Sequence, residues 1–463
     1  MEKIHFVGIG GTGTGTLAIE LAEKGYQVSG SDGVLYDPMK TALAQGKVKL
    51  FEGYTEQTLS KVQPDVVLIG NVIRKDNPEA AAWIRKGAYF ISFPEAVRRY
   101  VIGDKKSIVC AGTHGKTTTT AFTSFLLKGL GMDPSYLIGG VPADLPRGCA
   151  ITGGEVFVGE GDEYDSAFFD KGPKFLHYNP HCLILANIEF DHADIYRDLA
   201  HVQSSFEKLV ALLPGNGLCI ARYEDKVVQA VAQGAICPVQ TFGTTPGATW
   251  RVLQVKHERE WVSFELEYNK RNQGWFRSAM FGEHNVLNLV SGIAAACHFG
   301  ASLDAIRPLV EGFHGAKRRQ QILFTKPVTL IDDFAHHPTE VAATLKAVRQ
   351  RYADGRLWAF FEPRSATARR GSHQEIYPPA FSSADQILIC DPNHGTSNSD
   401  AQRFSGQTLV DSLTESGKQA RCFASVEEIV EVFKREHKPG DIAVVMSNGE
   451  FGKIQQKIQQ ALI

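Results

Sequence analysis

Gly112, Thr113, His114, Gly115, Lys116, Thr117 and Thr118 lie between a short apolar run, residues 107–111, and a helical pattern that begins at Lys116. In such a loop, glycines let backbone amides wrap phosphate oxygens. A lysine adds charge at the terminal phosphates, and a threonine hydroxyl can reach Mg²⁺. These residues predict a site for the phosphates of ATP. The usual spacing has a glycine five positions before Gly115; here Cys110 stands there, so the loop is a variant form.

A second constellation is acidic. Glu160-Gly161-Asp162-Glu163-Tyr164-Asp165 follows the apolar strand pattern 156–158, and Glu189-Phe190-Asp191-His192 follows that at 183–186. Carboxylate and imidazole groups at the C-terminal ends of neighbouring parallel strands stand where a nucleotide's metal ions sit. A solvated acidic loop is the plainer alternative.

Near the N-terminus, Gly8-Ile9-Gly10-Gly11-Thr12-Gly13 follows a strand and precedes a helix, and Asp32 ends the next strand. That pattern brings amides close to a diphosphate, with a carboxylate near ribose hydroxyls. The owner of the diphosphate stays open at this point: NAD, a UDP-type nucleotide sugar and a structural turn all fit. Farther on, Gly282-Glu283-His284-Asn285-Val286-Leu287-Asn288 opens a helix. Asn285 and Asn288 suit an adenine edge, but asparagine at a helix start is more often a cap. Lys317-Arg318-Arg319, Asp332-Asp333-Phe334-Ala335-His336-His337-Pro338, Glu362-Pro363-Arg364-Ser365 and Arg369-Arg370 together suggest an anion-handling face.

The elements that must position these residues repeat an α/β rhythm. Strand patterns at 5–9, 27–31 and 66–70, with helical patterns at 17–24 and 80–86, predict a parallel sheet. After a polar break at 103–106 a second unit begins. It holds the phosphate loop, its helix to about residue 130, an alternating stretch at 250–268 that predicts an antiparallel hairpin, and a helix at 285–299. Around 312–321 the pattern restarts, with strands at 328–331, 357–361, 386–390 and 442–446 and a last helix at 451–462. The expected fold is α/β with three domains: a Rossmann-like unit over 1–104, a central P-loop unit with a mainly parallel sheet over 105–312, and a second Rossmann-like unit over 313–463.

Length and composition agree with this. The chain has 463 residues, 43% apolar and 22% charged, enough for several cores. Lys plus Arg total 49 against 51 Asp plus Glu, so no global field draws the chain to nucleic acid or an anionic membrane. The N-terminus lacks a signal-peptide pattern and no apolar run is long enough to span a bilayer, so a cytoplasmic protein is expected. The eight cysteines include no CxxC pair, which argues for reduced, buried thiols rather than disulfides or a zinc site.

Taken together, the GTHGKTTT loop, the Glu160 and His192 pair, the HNVLN segment from His284 and DDFAHHPT from Asp332 resemble the Mur ligases, ATP-dependent amide-forming enzymes of peptidoglycan metabolism. The resemblance runs over essentially the whole chain. It implies a UDP-binding domain, an ATPase domain and an acceptor-binding domain, with ATP and Mg²⁺ as cofactors. It implies UDP-sugar contacts at Gly8, Gly10, Gly11, Thr12, Gly13, Asp32 and Asn71. Residues 112–118, His284, Asn285, Asn288, Arg319 and Asp333 fall to ATP; Thr117, Glu160 and His192 fall to the metal; Lys116, Glu160, His192, His336 and Arg364 fall to catalysis.

Within the family the chain is most similar to the branch that joins the carboxyl of UDP-N-acetylmuramate to an amine. Ile138-Gly139-Gly140-Val141-Pro142, the stretch 162–171, Glu362-Pro363-Arg364-Ser365 and the stretch 445–452 look like members that take the tripeptide L-Ala-γ-D-Glu-meso-diaminopimelate in murein recycling. The alternative acceptor is L-alanine, as in peptidoglycan biosynthesis. Glu207, with Lys208 beside it, occupies the position where some relatives have a carbamoylated lysine, so no such modification is expected. Glu450 departs from the glycine common in the tripeptide enzymes. A monomer or weak dimer is expected. An NAD-dependent oxidoreductase or a non-catalytic nucleotide sensor are the rivals from other classes; the first leaves the 112–118 loop without a role.

Overall fold

The computed structural model describes residues 1–35, 39–391 and 403–462. Its strands form three large sheets along the chain, and the architecture is a three-domain α/β one with mainly parallel pairing.

The first sheet is wholly parallel. Lys3–Val7 lies at its centre, with Gln27–Asp32 and Lys49–Glu52 on one side and Val66–Ile69 and Phe90–Ser92 on the other. Successive buried residues such as Ile4, Phe6 and Val7, and Val66 through Ile69, mark strands covered on both faces, as parallel sheets require. Chain order reverses beside the central strand, and the Gly8–Gly13 loop leaves its C-terminal end at that switch point.

The second sheet has ten strands. Lys106–Ala111 stands between Val156–Gly161 and Pro180–Leu185, all parallel, so the phosphate loop and both acidic segments emerge from the same edge. The expected hairpin is a three-stranded meander, Trp250–His257, Val262–Tyr268 and Arg271–Ser278. The third strand escapes the alternation rule because its polar residues (Arg271, Asn272, Gln273) face water. Helix Lys116–Gly129 packs against helix Glu283–His298, which joins the 112–118 loop to the HNVLN segment.

The third sheet runs in the order Gln321–Phe324, Thr329–Asp333, Ile442–Met446, Leu357–Phe361, Gln386–Cys390 and Gln419–Phe423, antiparallel only at the first pair. The last expected helix is broken: a 3-10 turn, Phe451–Lys453, with Gly452 and Lys453 in left-handed backbone, precedes Ile454–Ala461. The polar break at 103–106 follows a π-helix, Val97–Ile102. All eight cysteines are unpaired, six of them buried.

At Gly292 the two central helices touch: a β-carbon there would lie 2.7 Å from a Phe122 ring carbon and 2.9 Å from the Thr123 hydroxyl. Gly292→Ala should cost about 2 kcal/mol in overpacking, read as a lowered urea midpoint.

Candidate active site

Strand Lys106–Ala111 is buried beyond its first residue and delivers the loop rigidly. Gly112 (φ +139°) runs against the Asn187 backbone, where a β-carbon would meet the Asn187 oxygen at 3.0 Å. Gly115 (φ +81°) precedes helix Lys116–Gly129 and provides no side-chain cap, so the first-turn amides stay open toward an anion. Asn187 braces the turn: its backbone oxygen accepts from the Thr113 amide at 3.0 Å, and its Oδ1 from the His114 amide at 2.7 Å.

Lys116 Nζ donates to Glu163 Oε1 at 2.9 Å and to the Thr113 carbonyl at 3.1 Å. His192 Nε2 lies 3.0 Å from the same Oε1. Glu163 is 2% exposed, and its Oε2, although 2.9 Å from the ammonium, takes no hydrogen bond. Burial alone would depress the lysine; the charges of Glu163, then Asp162 and Glu160, outweigh it and raise its pKa. Burial likewise pushes Glu163 up, but Lys116 and His192 hold it below the usual carboxylate range. Thr117 Oγ1 donates to Glu160 Oε1 at 2.9 Å, and the Gly139 amide to Glu160 Oε2 at 2.7 Å. Burial raises the Glu160 pKa despite these partners.

The C-terminal domain closes the cleft from above. Arg319 reaches Thr117 Oγ1 at 3.3 Å and lies 3.9 Å from Glu340. His114 bridges the two domains, with Nε2 3.0 Å from Glu189 and Nδ1 3.3 Å from Glu340. Burial opposes its charge, yet Glu340 and Glu189 raise its pKa to about 10. Thr339 Oγ1 donates to Glu189 Oε2 at 2.8 Å, and His336 Nε2 lies 3.6 Å from Asp191 Oδ2. His114, Glu189 and His337 bring ligand-type atoms within 4.8 Å of one another. Glu189 Oε2 is already met by His114 and Thr339, so the trio is an ion-paired seam between domains.

One cavity lies under this seam, lined by His114, Gly115, Thr118, His284, Asn285, Asn288, Arg319, Asp333 and Glu340 among others. Asn285 and Asn288 do not cap their helix, contrary to the commoner role; the cap is Gly282, without a side-chain bond. Instead Asn285 Nδ2 donates to the Phe281 carbonyl at 2.8 Å, and Asn288 Oδ1 abuts Gly115. Burial keeps His284 neutral, its pKa lowered to about 4. Burial raises Asp333 to about 6 although the Gln320 and Ala335 amides donate to it at 2.7 Å each.

Other expected site residues lie apart from this cleft. Gly8, Gly10, Gly11, Thr12 and Gly13 form the turn into helix Thr12–Glu23 of the first domain. Asp32 braces that turn: Oδ2 accepts from the Gly10 amide at 2.6 Å, Oδ1 from the Gly33 amide at 2.7 Å and from Tyr54 Oη at 2.8 Å. Asn71 is exposed just past strand Val66–Ile69. Arg364 is exposed beside Gly449 and has no ion-pair partner among the described residues. Glu207 faces solvent, bonded to Gln203. In the sequence Glu163 and Glu189 stand only as members of acidic runs, and no motif marks Asn187, Gln320 or Thr367; the signal for Glu163 is its place three residues after Glu160 at a strand end.

Three family models together match nearly the whole chain: "Mur ligase family, catalytic domain" over residues 3–103, "Mur ligase middle domain" over 110–296 and "Mur ligase, glutamate ligase domain" over 318–449. The chain belongs to the Mur ligase family. It is 36% identical to the UDP-N-acetylmuramate–L-alanyl-gamma-D-glutamyl-meso-2,6-diaminoheptandioate ligase of Escherichia coli K12, over 99% of this chain and 98% of that one. A UDP-N-acetylmuramate–L-alanine ligase of Clostridium acetobutylicum is 31% identical over 98% of this chain and 96% of its own. Among solved structures, the murein peptide ligase of Psychrobacter arcticus superposes with a TM-score of 0.73 at 32% identity, covering 100% and 99% of the two chains.

The raised His114 pKa sets a pH dependence. A histidine lifted from an unfolded value of about 6.5 to about 10 contributes stability in full below pH 6.5 and loses it as pH rises through 10. The difference in melting temperature between the wild-type protein and His114→Gln should therefore shrink between pH 7 and 10. A difference that stays constant across that range would contradict the assignment.

Proposed function

We infer that this Mur ligase joins UDP-N-acetylmuramate to the tripeptide L-Ala-γ-D-Glu-meso-diaminopimelate, consuming ATP and releasing ADP and phosphate, as a step of murein recycling. The observation that carries the ligase chemistry is the Lys116–Glu163–His192 cluster at the sheet edge where the glycine-rich loop and both acidic segments converge, next to the cavity that Gly115 and Thr118 line. The acceptor is supported by the higher identity to the tripeptide ligase than to the L-alanine ligase over the full chain. An unpaired guanidinium at Arg364 suits an acceptor that carries carboxylates of its own.

In this reading the phosphates of ATP lie along the amides of Gly115–Thr118, and Lys116 exchanges Glu163 for a phosphate oxygen. Asn285, Asn288 and His284 line the base end of the cavity, and Asp333 stands on the C-terminal side. The muramate carboxylate attacks the γ-phosphorus, ADP leaves, and an acyl phosphate forms. The amine of the tripeptide then attacks the acyl carbon, its proton is lost, and phosphate departs. Arg319, held at Thr117, faces the charge that develops on the transferred group.

The donor set fits Mg²⁺: Thr117, Glu160, Glu163 and His192 are oxygen and imidazole donors, and Glu163 Oε2 is buried without a hydrogen bond. When bound, Mg²⁺ supplies positive charge that screens the phosphates from the attacking carboxylate. The first domain binds the UDP part through the loop amides from Gly11 onward, with Asp32 fixing the loop. Boundaries near 104 and 312 divide the three tasks, and the phosphate chemistry belongs to the central unit.

Purified protein given ATP, Mg²⁺, UDP-N-acetylmuramate and either acceptor should form amide faster with the tripeptide than with L-alanine. The reverse preference would assign the biosynthetic alternative, and no amide with either would refute the ligase reading. Lys116→Ala should lower turnover at least about a thousandfold while far-UV circular dichroism stays unchanged. Arg364→Ala should raise KM for the tripeptide about tenfold or more, with a smaller change in kcat.

A further inference from the structure

We propose that Thr367 is a closure latch: a positioning residue that holds the His192 turn in place only when the C-terminal domain is docked. The proposal rests on the ligase reading for its consequence, though not for its geometry.

Asp191 is buried between the central and C-terminal domains, 4% exposed, and its two oxygens face different ways. Oδ1 accepts from the His192 amide at 2.7 Å and from Thr367 Oγ1 at 2.6 Å. Oδ2 faces His336 Nε2 at 3.6 Å. Thr367 Oγ1 also accepts from the Ala193 amide at 3.0 Å, so one hydroxyl, 1% exposed, ties both sides of His192 to the other domain. Arg370 adds a bond from its guanidinium to the Ala193 carbonyl.

His192 itself has φ +56°, a left-handed conformation that a side chain with a β-carbon disfavours and that surrounding bonds must enforce. Within the central domain the enforcing bonds are the Ile195 and Tyr196 amides on the His192 carbonyl, at 2.9 Å each, and the Asp191 contact. Docking of Thr367 adds two bonds from outside, and Arg370 adds a third. Separation of the domains removes all three and leaves the His192 turn to the central domain's own bonds.

Thr367 is also tied to the acceptor side. It lies in the short helix Ala366–Arg369, whose cap Ser365 accepts from the Ala368 amide and directly follows Arg364. A carboxylate held at Arg364 therefore bears on the same rigid turn that carries the latch. The consequence is coupling: His192 reaches its working position when the acceptor side is closed. With the latch broken, water instead of the amine attacks the acyl carbon of the acyl phosphate, which returns the muramate carboxylate and releases phosphate, so ATP is hydrolysed without amide formation.

Thr367→Val keeps the shape and removes the hydroxyl; Thr367→Ser keeps the hydroxyl. Valine should lower kcat for amide formation about ten- to a hundredfold, the range for a buried hydrogen bond to a charged group, and raise phosphate released per amide above one. Binding of UDP-N-acetylmuramate should stay within about twofold, and serine should restore kcat to within about threefold. Wild-type kcat and phosphate-to-amide ratio in the valine variant, or a serine variant as impaired as valine, would overturn the latch. If the valine variant does not fold, Arg370→Ala, at an exposed position, should raise the same ratio, and an unchanged ratio counts against the proposal. Small-angle scattering with Mg²⁺ and a non-hydrolysable ATP analogue separates the two readings. Wild type should scatter as the docked form and the valine variant as a more extended one even if no amide is ever made; equal compactness refutes the latch alone.

Discussion

An ammonium group held almost out of water must have a counter-charge, and in this protein that requirement organises the cleft. Lys116 meets it with Glu163, which in turn holds His192. The partnership suits a nucleotide-free enzyme, because the lysine is kept charged and aimed without being exposed. A carboxylate stripped of its partner in a dry site cannot stay bare. Under the proposed reading, an anion that drew Lys116 away from Glu163 would leave that carboxylate in need of a cation.

The same electrostatic logic extends across the domain interface. The loop after strand Pro180–Leu185 carries Glu189 and Asp191, and each carboxylate is met from the C-terminal domain, by Thr339 and His337 at the first and by His336 and Thr367 at the second. His114 belongs to the phosphate loop itself, yet it is also paired with Glu340 from the far side. Docking of the C-terminal domain and arrangement of the phosphate loop are thus not independent.

How much of this the residues reveal in advance depends on the range of the interactions involved. The phosphate loop was legible because Gly115, Lys116 and Thr117 act through local backbone geometry, where spacing is the signal. The three-sheet plan was legible because buried parallel strands are short unbroken apolar runs. Thr367 was not, since its partner Asp191 lies 176 positions away and nothing about a threonine after Arg364 announces it. Asn285 and Asn288 misled for a related reason: a helix start favours the capping role, and only the packing of Asn288 on Gly115 reveals the other one. The strand Arg271–Ser278 was missed because an edge strand rich in Arg, Asn and Gln lacks the alternation that marks a half-buried one.

The first domain shows where a motif stops being informative. Gly8 to Gly13 and Asp32 match the arrangement used for NAD, in which the carboxylate stands free for ribose hydroxyls. Here Asp32 accepts from Gly10, Gly33 and Tyr54, and a β-carbon on Gly10 would lie 2.9 Å from its Oδ2. With three donors already in place, that carboxylate is committed to the loop's own shape. With the Gly8 and Ile9 amides bonded to Ser31 and that of Gly10 to Asp32, the loop offers a diphosphate the amides from Gly11 onward and little from this side chain, which is the chemistry of a nucleotide sugar's diphosphate as readily as a dinucleotide's. What decides between them is the family, together with the loop at 112–118 a full domain away, whose lysine and carboxylates would be idle in a hydride-transfer enzyme.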